Sequence, residues 1–328
     1  MNTSRFSSTG ARVGLAVAVV VLLLTGAGLW LANDAQTLLS IAVSRERGAG
    51  NLVEHALQID DHQIVYLDGG DPAGPPVLLL HGFAADKDNW TRFSATLKEA
   101  GFRVLAPDLP GHGDSSRLPE HTYDIPSQVD FVEAFVVANG LEQVHIAGNS
   151  MGGHIAGAYA ALHPHRVLSL ALVDAGGVTS PEPSERARIM SETGTNPLLV
   201  ESVEDFDRFL AFVFVKPPEL PRVVKQYFAD RAVQSRAFND KIFNDITGGG
   251  RLLPLEPLLG RITAPTLILW GDSDRLLHPS AATVFAAGLA DSETVILKDC
   301  GHSPMIERPA ETAGIYVDFL NRSIDDRP

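Results

Sequence analysis

The chain has 328 residues, 45% of them hydrophobic and 20% charged, which is the composition of a folded globular protein and excludes a disordered one. A formal charge of −14 leaves no basic excess to neutralise phosphates, so nucleic acid is excluded as a partner, and so is electrostatic adhesion to anionic lipid. The single cysteine, Cys300, permits no internal disulfide.

After Arg5 and Arg12, Val13 to Ala32 form a run of twenty residues without a charge. As a helix rising about 1.5 Å per residue, that run spans the roughly 30 Å hydrocarbon core of a bilayer. The alternative is a cleaved signal peptide, which would give a secreted protein. Such peptides have an apolar region of roughly 7–15 residues and an A-x-A-like cleavage site, and Thr25-Gly26-Ala27 is a poor one. Segment 1–33 is therefore expected to be a membrane anchor through residues 13–32. The basic residues before it, set against Arg45 and Arg47 after it, favour an extracytoplasmic (periplasmic) main domain.

Residues 34–51 read as a linker, with short helical potential around Thr37–Val43 before Gly48-Ala49-Gly50. Leu57-Gln58-Ile59 and Ile64-Val65-Tyr66-Leu67 flank Asp60-Asp61-His62 as a hairpin. Val77–Leu80 is a continuous apolar strand of the kind buried in a parallel sheet. A helix around Asp88–Glu99, a strand Arg103–Ala106 and a long turn Pro107–Ser115 follow. The helix near Ser127–Asn139 carries Val129, Val132, Val136 and Val137 as its expected buried face. Next come a strand ending at Asn149, a small-residue helix, and the strand Leu168–Val173. This βαβα order implies a mostly parallel sheet with helices on both faces, over residues 52–175.

The alternation breaks over residues 176–261, where Pro181, Pro183, Pro197, Pro217, Pro218, Pro221, Pro254 and Pro257 are expected to cut the chain into short helices. One carries Phe206, Phe209, Leu210, Val213 and Phe214 on a single face, so the stretch is expected to be a helical cap. Those five residues are its candidate lining for an acyl chain. The α/β pattern resumes over 262–328: a strand Pro265–Trp270, a helix Pro279–Ala287, a strand Thr294–Leu297 and a final helix Pro309–Leu320.

Catalytic groups in open α/β sheets collect outside the carboxyl ends of the strands, and four features fall there. Gly148-Asn149-Ser150-Met151-Gly152 sits between a strand and a helix, where glycines permit an abrupt turn that presents Ser150. Asp272 and Asp274 follow a later strand, and His302 follows the last. A serine hydroxyl needs a neutral imidazole to take its proton, and the imidazole needs a carboxylate to fix its tautomer. The order Ser, Asp, His fits the nucleophile elbow. Asp274 is preferred to Asp272 because it lies farther past the strand and can reach across, with Asp174 third. The oxyanion donors are expected from the amides of Met151, at a helix N-terminus, and of Phe83, after His81-Gly82. His81 and Gly82 are read as shaping that loop, and His112, His145 and His154 as structural. The reaction calls for no cofactor and no metal.

Over residues 52–322 the chain resembles α/β-hydrolase-fold serine hydrolases. His81-Gly82-Phe83-Ala84-Ala85-Asp86-Lys87-Asp88-Asn89-Trp90, Gly148-Asn149-Ser150-Met151-Gly152-Gly153 and Cys300-Gly301-His302-Ser303-Pro304-Met305-Ile306-Glu307-Arg308-Pro309 make it similar to membrane-anchored monoacylglycerol lipases and bacterial family V lipases. Gly-Asn-Ser departs mildly from the commoner Gly-His-Ser or Gly-Thr-Ser. The resemblance implies an eight-stranded, mostly parallel sheet with an inserted helical cap. It also implies Ser150, Asp274 and His302 as triad, Phe83 and Met151 as oxyanion amides, and a lipid ester as substrate. A C–C bond hydrolase of ring-cleavage dienoates with the same triad is the alternative. A non-catalytic binding module is a third reading, against which the intact triad stands.

Overall fold

The structure, a computed structural model, describes residues 34–325. The apolar run 13–32 lies outside the described residues, and among those described no helix is long and apolar enough to cross a membrane.

Val53–Ile59 (β1) and His62–Gly70 (β2) pair antiparallel, with Ile59 opposite His62 across the Asp60-Asp61 turn. β2 then pairs antiparallel with Arg103–Pro107 (β4). All further pairings are parallel and bring in Pro76–Leu80 (β3), Val144–Asn149 (β5), Val167–Val173 (β6), Thr266–Gly271 (β7) and Ser292–Leu297 (β8). The eight strands lie in the order β1-β2-β4-β3-β5-β6-β7-β8. Helices Ala35–Ala49 (α1), Thr91–Glu99 (α2), Ile125–Ala138 (α3) and Met151–Leu162 (α4) come before or between the first six strands. Glu185–Thr193 (α5), Val203–Val213 (α6) and Arg222–Asn244 (α7) lie between β6 and β7. Ala281–Gly288 (α8) precedes β8, and Pro304–Glu307 (α9) and Pro309–Asp325 (α10) follow it.

Successive side chains of a strand point to opposite faces, so a strand that is apolar throughout feeds two cores. Leu78 and Leu80 join Ile146, Leu170, Leu172 and Trp270 in a core closed by α3, α4 and α8. Val77 and Leu79 join Val104, Ala147, Ala171 and Leu267 in a second, closed by α2 and α10. The inserted helices hold a third cluster of their own, around Phe206, Leu210 and Ala229.

Three expectations change. Val137 is 54% exposed, and Phe131 and Phe135 bury beside Val129, Val132 and Val136 instead. Val137 stands eight residues after Val129, about 80° round the helix and off the buried stripe. The segment expected to be a linker is a 15-residue helix, α1. It is capped by Asp34 and docked by Arg47 onto Asp88 at 2.7 and 2.6 Å and by Glu46 onto Arg92 at 2.7 Å. Finally, the insertion is not all short helices. No proline falls between Pro221 and Pro254, and α7 runs for 23 residues with no Pro or Gly inside it.

Two turns above the sheet are locked together by a buried charge. Lys87 and Asp108 are 1% and 0% exposed. The Lys87 Nζ donates to Asp108 at 2.9 Å and to Asp114 at 2.6 Å. The backbone N–H groups of Lys87 and Asp114 also donate to Asp108, at 2.7 and 2.8 Å. Burial works against the ammonium charge, and the two carboxylates outweigh it, so the Lys87 pKa rises. Gly113, at φ +52, passes so close that a Cβ there would stand 2.2 Å from the Asp108 carboxyl carbon. Replacing Lys87→Met strands the Asp108 carboxylate in the core. Denaturant unfolding is expected to show a loss of roughly 3–5 kcal/mol, the cost of breaking a buried pair from one side. A loss under 1 kcal/mol would show that the pair is not what locks the turns.

Candidate active site

Sheet register brings the carboxyl ends of five strands level: Leu80 lies opposite Gly148, Asn149 opposite Val173, Val173 opposite Leu269, and Gly271 opposite Leu297. The residues that follow are therefore neighbours. Ser150 sits between β5 and α4 at φ +57, ψ −116, a conformation that L residues rarely adopt. Its N–H donates to Val173 O at 3.1 Å, and its carbonyl accepts from Gly176 N at 2.9 Å. A Cβ on Gly148 would lie 2.1 Å from Gly152 O, and one on Gly152 2.3 Å from Leu80 O, closer than real Cβ atoms come. Only glycine fits at these two positions.

His302 and Asp274 meet directly: His302 Nδ1 bonds Asp274 Oδ2 at 2.8 Å, with both residues buried. Because a carboxylate only accepts, Nδ1 carries the proton and Nε2 is left as the basic nitrogen. The other Asp274 oxygen accepts the N–H groups of Leu276 at 2.8 Å and Leu277 at 3.1 Å. Asp272 is exposed and accepts from the Ser273 hydroxyl at 2.8 Å. Asp174, the third candidate, is fully buried beside Asp274. Asp174, Asp274 and His302 place one donor atom each within 4.8 Å of the others, a spacing that a metal would also accept. The bonds among His302, Asp274 and the backbone N–H groups of Leu276, Leu277 and Gly271 already account for that spacing.

Sequence reading missed what Asn149 does. Its Nδ2 donates to Val173 O at 3.1 Å and to His302 O at 3.0 Å, tying the elbow to the backbone of the imidazole. The departure from Gly-His-Ser was the available signal. Glu307 was missed too, although it stands in the quoted His302 stretch. It accepts Gly301 N at 2.9 Å and Lys216 N at 2.9 Å, while His302 N donates to Val213 O at 2.8 Å. The exit from α6 is thereby pinned to the histidine loop.

The turn after β3 lies against the elbow: a Cβ on Gly82 would be 3.3 Å from that of Ser150. The Phe83 amide finds no acceptor among the described residues, and Met151 opens α4. His81 shapes the turn from inside, with Nδ1–H donating to Gly82 O at 2.8 Å and Nε2 accepting from Leu109 N at 3.0 Å. His112 packs edge-on against His81 and Phe83, and its Nδ1–H donates to Pro110 O at 3.2 Å. His145 bonds Ser169 at 2.8 Å, and His154 donates to Leu253 O at 2.7 Å. Burial lowers the pKa of His81 to about 4. Burial, and after it the neighbouring His81, lowers that of His112 to about 3.

Phe206, Leu210, Val213 and Phe214 are buried in the core of the insertion, and Phe209 is half-buried against it. Phe206 stacks on Phe209 and Phe228. Phe212, not expected, lines a recess of about 430 Å³ beside Asp274 together with Phe214 and Arg275. The Arg275 guanidinium lies 4.3 Å from the centre of its ring.

A family model described as the alpha/beta hydrolase fold matches residues 75–216 and 224–309. Lipase 1 of Psychrobacter immobilis is 35% identical over 84% of this chain and 87% of its own length. A monoacylglycerol lipase of Mus musculus is 32% identical over 80% of each. The crystal structure of a membrane phospholipase A, described as a novel bacterial virulence factor, is 46% identical. It covers 94% of this chain and 98% of that one, with a TM-score of 0.85.

The depressed histidines give a pH signature. Both are neutral when folded and charge near pH 6.5 when unfolded, so between those limits the unfolded chain binds more protons and stability is lost as the pH is lowered. Each imidazole is expected to cost about 2 kcal/mol between pH 7 and pH 5. In His112→Asn, urea unfolding across that range should show a slope shallower by about that amount. An unchanged slope would mean that His112 is charged in the folded protein.

Proposed function

The chain belongs to the alpha/beta hydrolase fold family and is a hydrolase of carboxylic esters of lipids, and we propose that Ser150, His302 and Asp274 carry out the reaction. The observation that supports this assignment most is the 2.8 Å bond from His302 Nδ1 to Asp274, on the strand edge that ends in the strained Ser150.

His302 Nε2 takes the Ser150 hydroxyl proton as Oγ attacks the ester carbonyl. The amides of Phe83 and Met151 receive the oxyanion, for which each donor is worth roughly 10²–10³ in rate. The tetrahedral adduct collapses as His302 returns the proton to the departing alcohol, leaving Ser150 acylated. Water, deprotonated by His302, then attacks the acyl group, and collapse releases the fatty acid and restores the serine hydroxyl. Asp274 stays ionised throughout and stabilises the imidazolium formed in each half-reaction. The substrate class within lipid esters is read as monoacylglycerols or similar acyl esters, as the name of the mouse relative suggests.

We further infer that residues 13–32 tether the enzyme to a membrane, with the catalytic domain on the extracytoplasmic side. Support comes from the charge-free run behind Arg5 and Arg12 and from a relative described as a membrane phospholipase A.

Purified full-length protein should hydrolyse glycerol monoesters and p-nitrophenyl esters, with one acyl length preferred, and should be labelled by a fluorophosphonate. Ser150→Ala should lose label and activity together, with kcat falling by roughly 10⁴–10⁶. Turnover of ring-cleavage dienoates without esterase activity would overturn the ester reading. In fractionated cells the protein should sediment with membranes and resist high salt, and deleting residues 1–33 should release it. Full-length protein found in the soluble fraction would sink the anchor.

A further inference from the structure

Asp174 follows β6, holds a backbone φ of +44 and is fully buried, yet no step above uses it. Its Oδ1 accepts the Gly271 N–H at 2.9 Å. Its Oδ2 is buried as well, and no N–H or hydroxyl among the described residues reaches it. Asp274 is the polar group beside it: an oxygen of each carboxyl group and a ring nitrogen of His302 lie within 4.8 Å of one another. Two carboxylates held this close and out of water do not both ionise, so one proton is shared between them.

The donors around the pair decide which residue keeps that proton. Asp274 accepts three hydrogen bonds, from Leu276 N, Leu277 N and His302 Nδ1, whereas Asp174 accepts only that of Gly271 from the backbone. Each N–H aimed at an oxygen favours the anion, so the charge belongs on Asp274. The surrounding groups agree. The Glu307 carboxylate and the Cys300 thiol face Asp174 from the histidine loop, and the first adds repulsion against a second anion. The Arg186 guanidinium, on α5, attracts the Asp274 charge.

We propose that Asp174 is a neutral carboxylic acid whose O–H donates to Asp274, a positioning residue that holds the triad carboxylate against His302. Burial, and after it the charge of Asp274, holds the Asp174 carboxyl well above the usual carboxylate range, in the direction this requires. The hydrogen bond also disperses the charge on Asp274, which weakens the pull on the His302 proton and keeps Nε2 free as a base to lower pH. The inference rests on reading Ser150, His302 and Asp274 as the triad.

Two measurements test it. At pH 8, where exposed carboxyl groups are ionised, the infrared spectrum of the full-length protein should retain a protonated-carboxyl C=O stretch that Asp174→Asn removes. Absence of that band from the unsubstituted protein overturns the proposal. In kinetics, Asp174→Asn keeps a donor for Asp274 and an acceptor for Gly271, so kcat should stay within about twofold. Asp174→Ala loses the donor, so kcat should fall about tenfold at little-changed KM. In that variant the acid limb of kcat/KM should also move to higher pH. An Asn variant that folds, by its melting midpoint, yet is as slow as Ala would show that Asp174 works as an anion. An Ala variant with an unmoved acid limb would reduce it to packing. A protein that hydrolyses no ester would sink the proposed function and leave the infrared band to decide Asp174.

Discussion

Turning a buried parallel strand into a helix within one residue forces Ser150 to φ +57, and room for that turn exists only because Gly148 and Gly152 lack side chains. Strain of this kind costs about 1–3 kcal/mol and persists only where the surroundings over-determine it. Here the surroundings are β5, buried along its whole length, and α4, almost wholly buried behind it. The Ser150 N–H and C=O are also both engaged, by Val173 and Gly176. A hydroxyl held above the sheet edge is therefore a consequence of two well-packed elements meeting badly, and the rest of the site is arranged around that point.

Other turns reach the same edge and are fixed to it by polar groups rather than by apolar packing. Asn149 reaches from the elbow to the histidine backbone, and Glu307 clamps the histidine loop to the end of α6. Lys87 and Asp108 join the turns after β3 and β4. Buried polar contacts of this sort add little net stability, but each is costly to leave half made. They give the site one geometry at modest gain in stability, as a site built on loops requires.

The inserted helices extend this logic. Their aromatic residues close a core of their own, and α6 and the segment after it hand Val213 O, Val215 N and Lys216 N to the histidine loop. The end of α6 and the loop that carries the imidazole are thus tied together.

Much of this was legible in the residues themselves. A short continuous apolar run such as Val77–Leu80, set between turn residues and too short for a helix, reads as a strand buried on both faces. Gly148 to Gly152 specify a turn that only glycines allow, and the order Ser150, Asp274, His302 along the chain needs no coordinates to notice. What local pattern cannot contain is a contact between distant segments. Helix α1 exceeds its expected length because Glu46 and Arg47 find Arg92 and Asp88 more than forty positions away. Asn149 meets His302 across 153 positions, and Asp174 meets Asp274 only because β6 and β7 are neighbours in the sheet. Sequence determined which groups stand at the strand ends. Tertiary structure alone decided which of them touch, since burial, charge sharing and the ownership of a proton are properties of a neighbourhood and not of a residue.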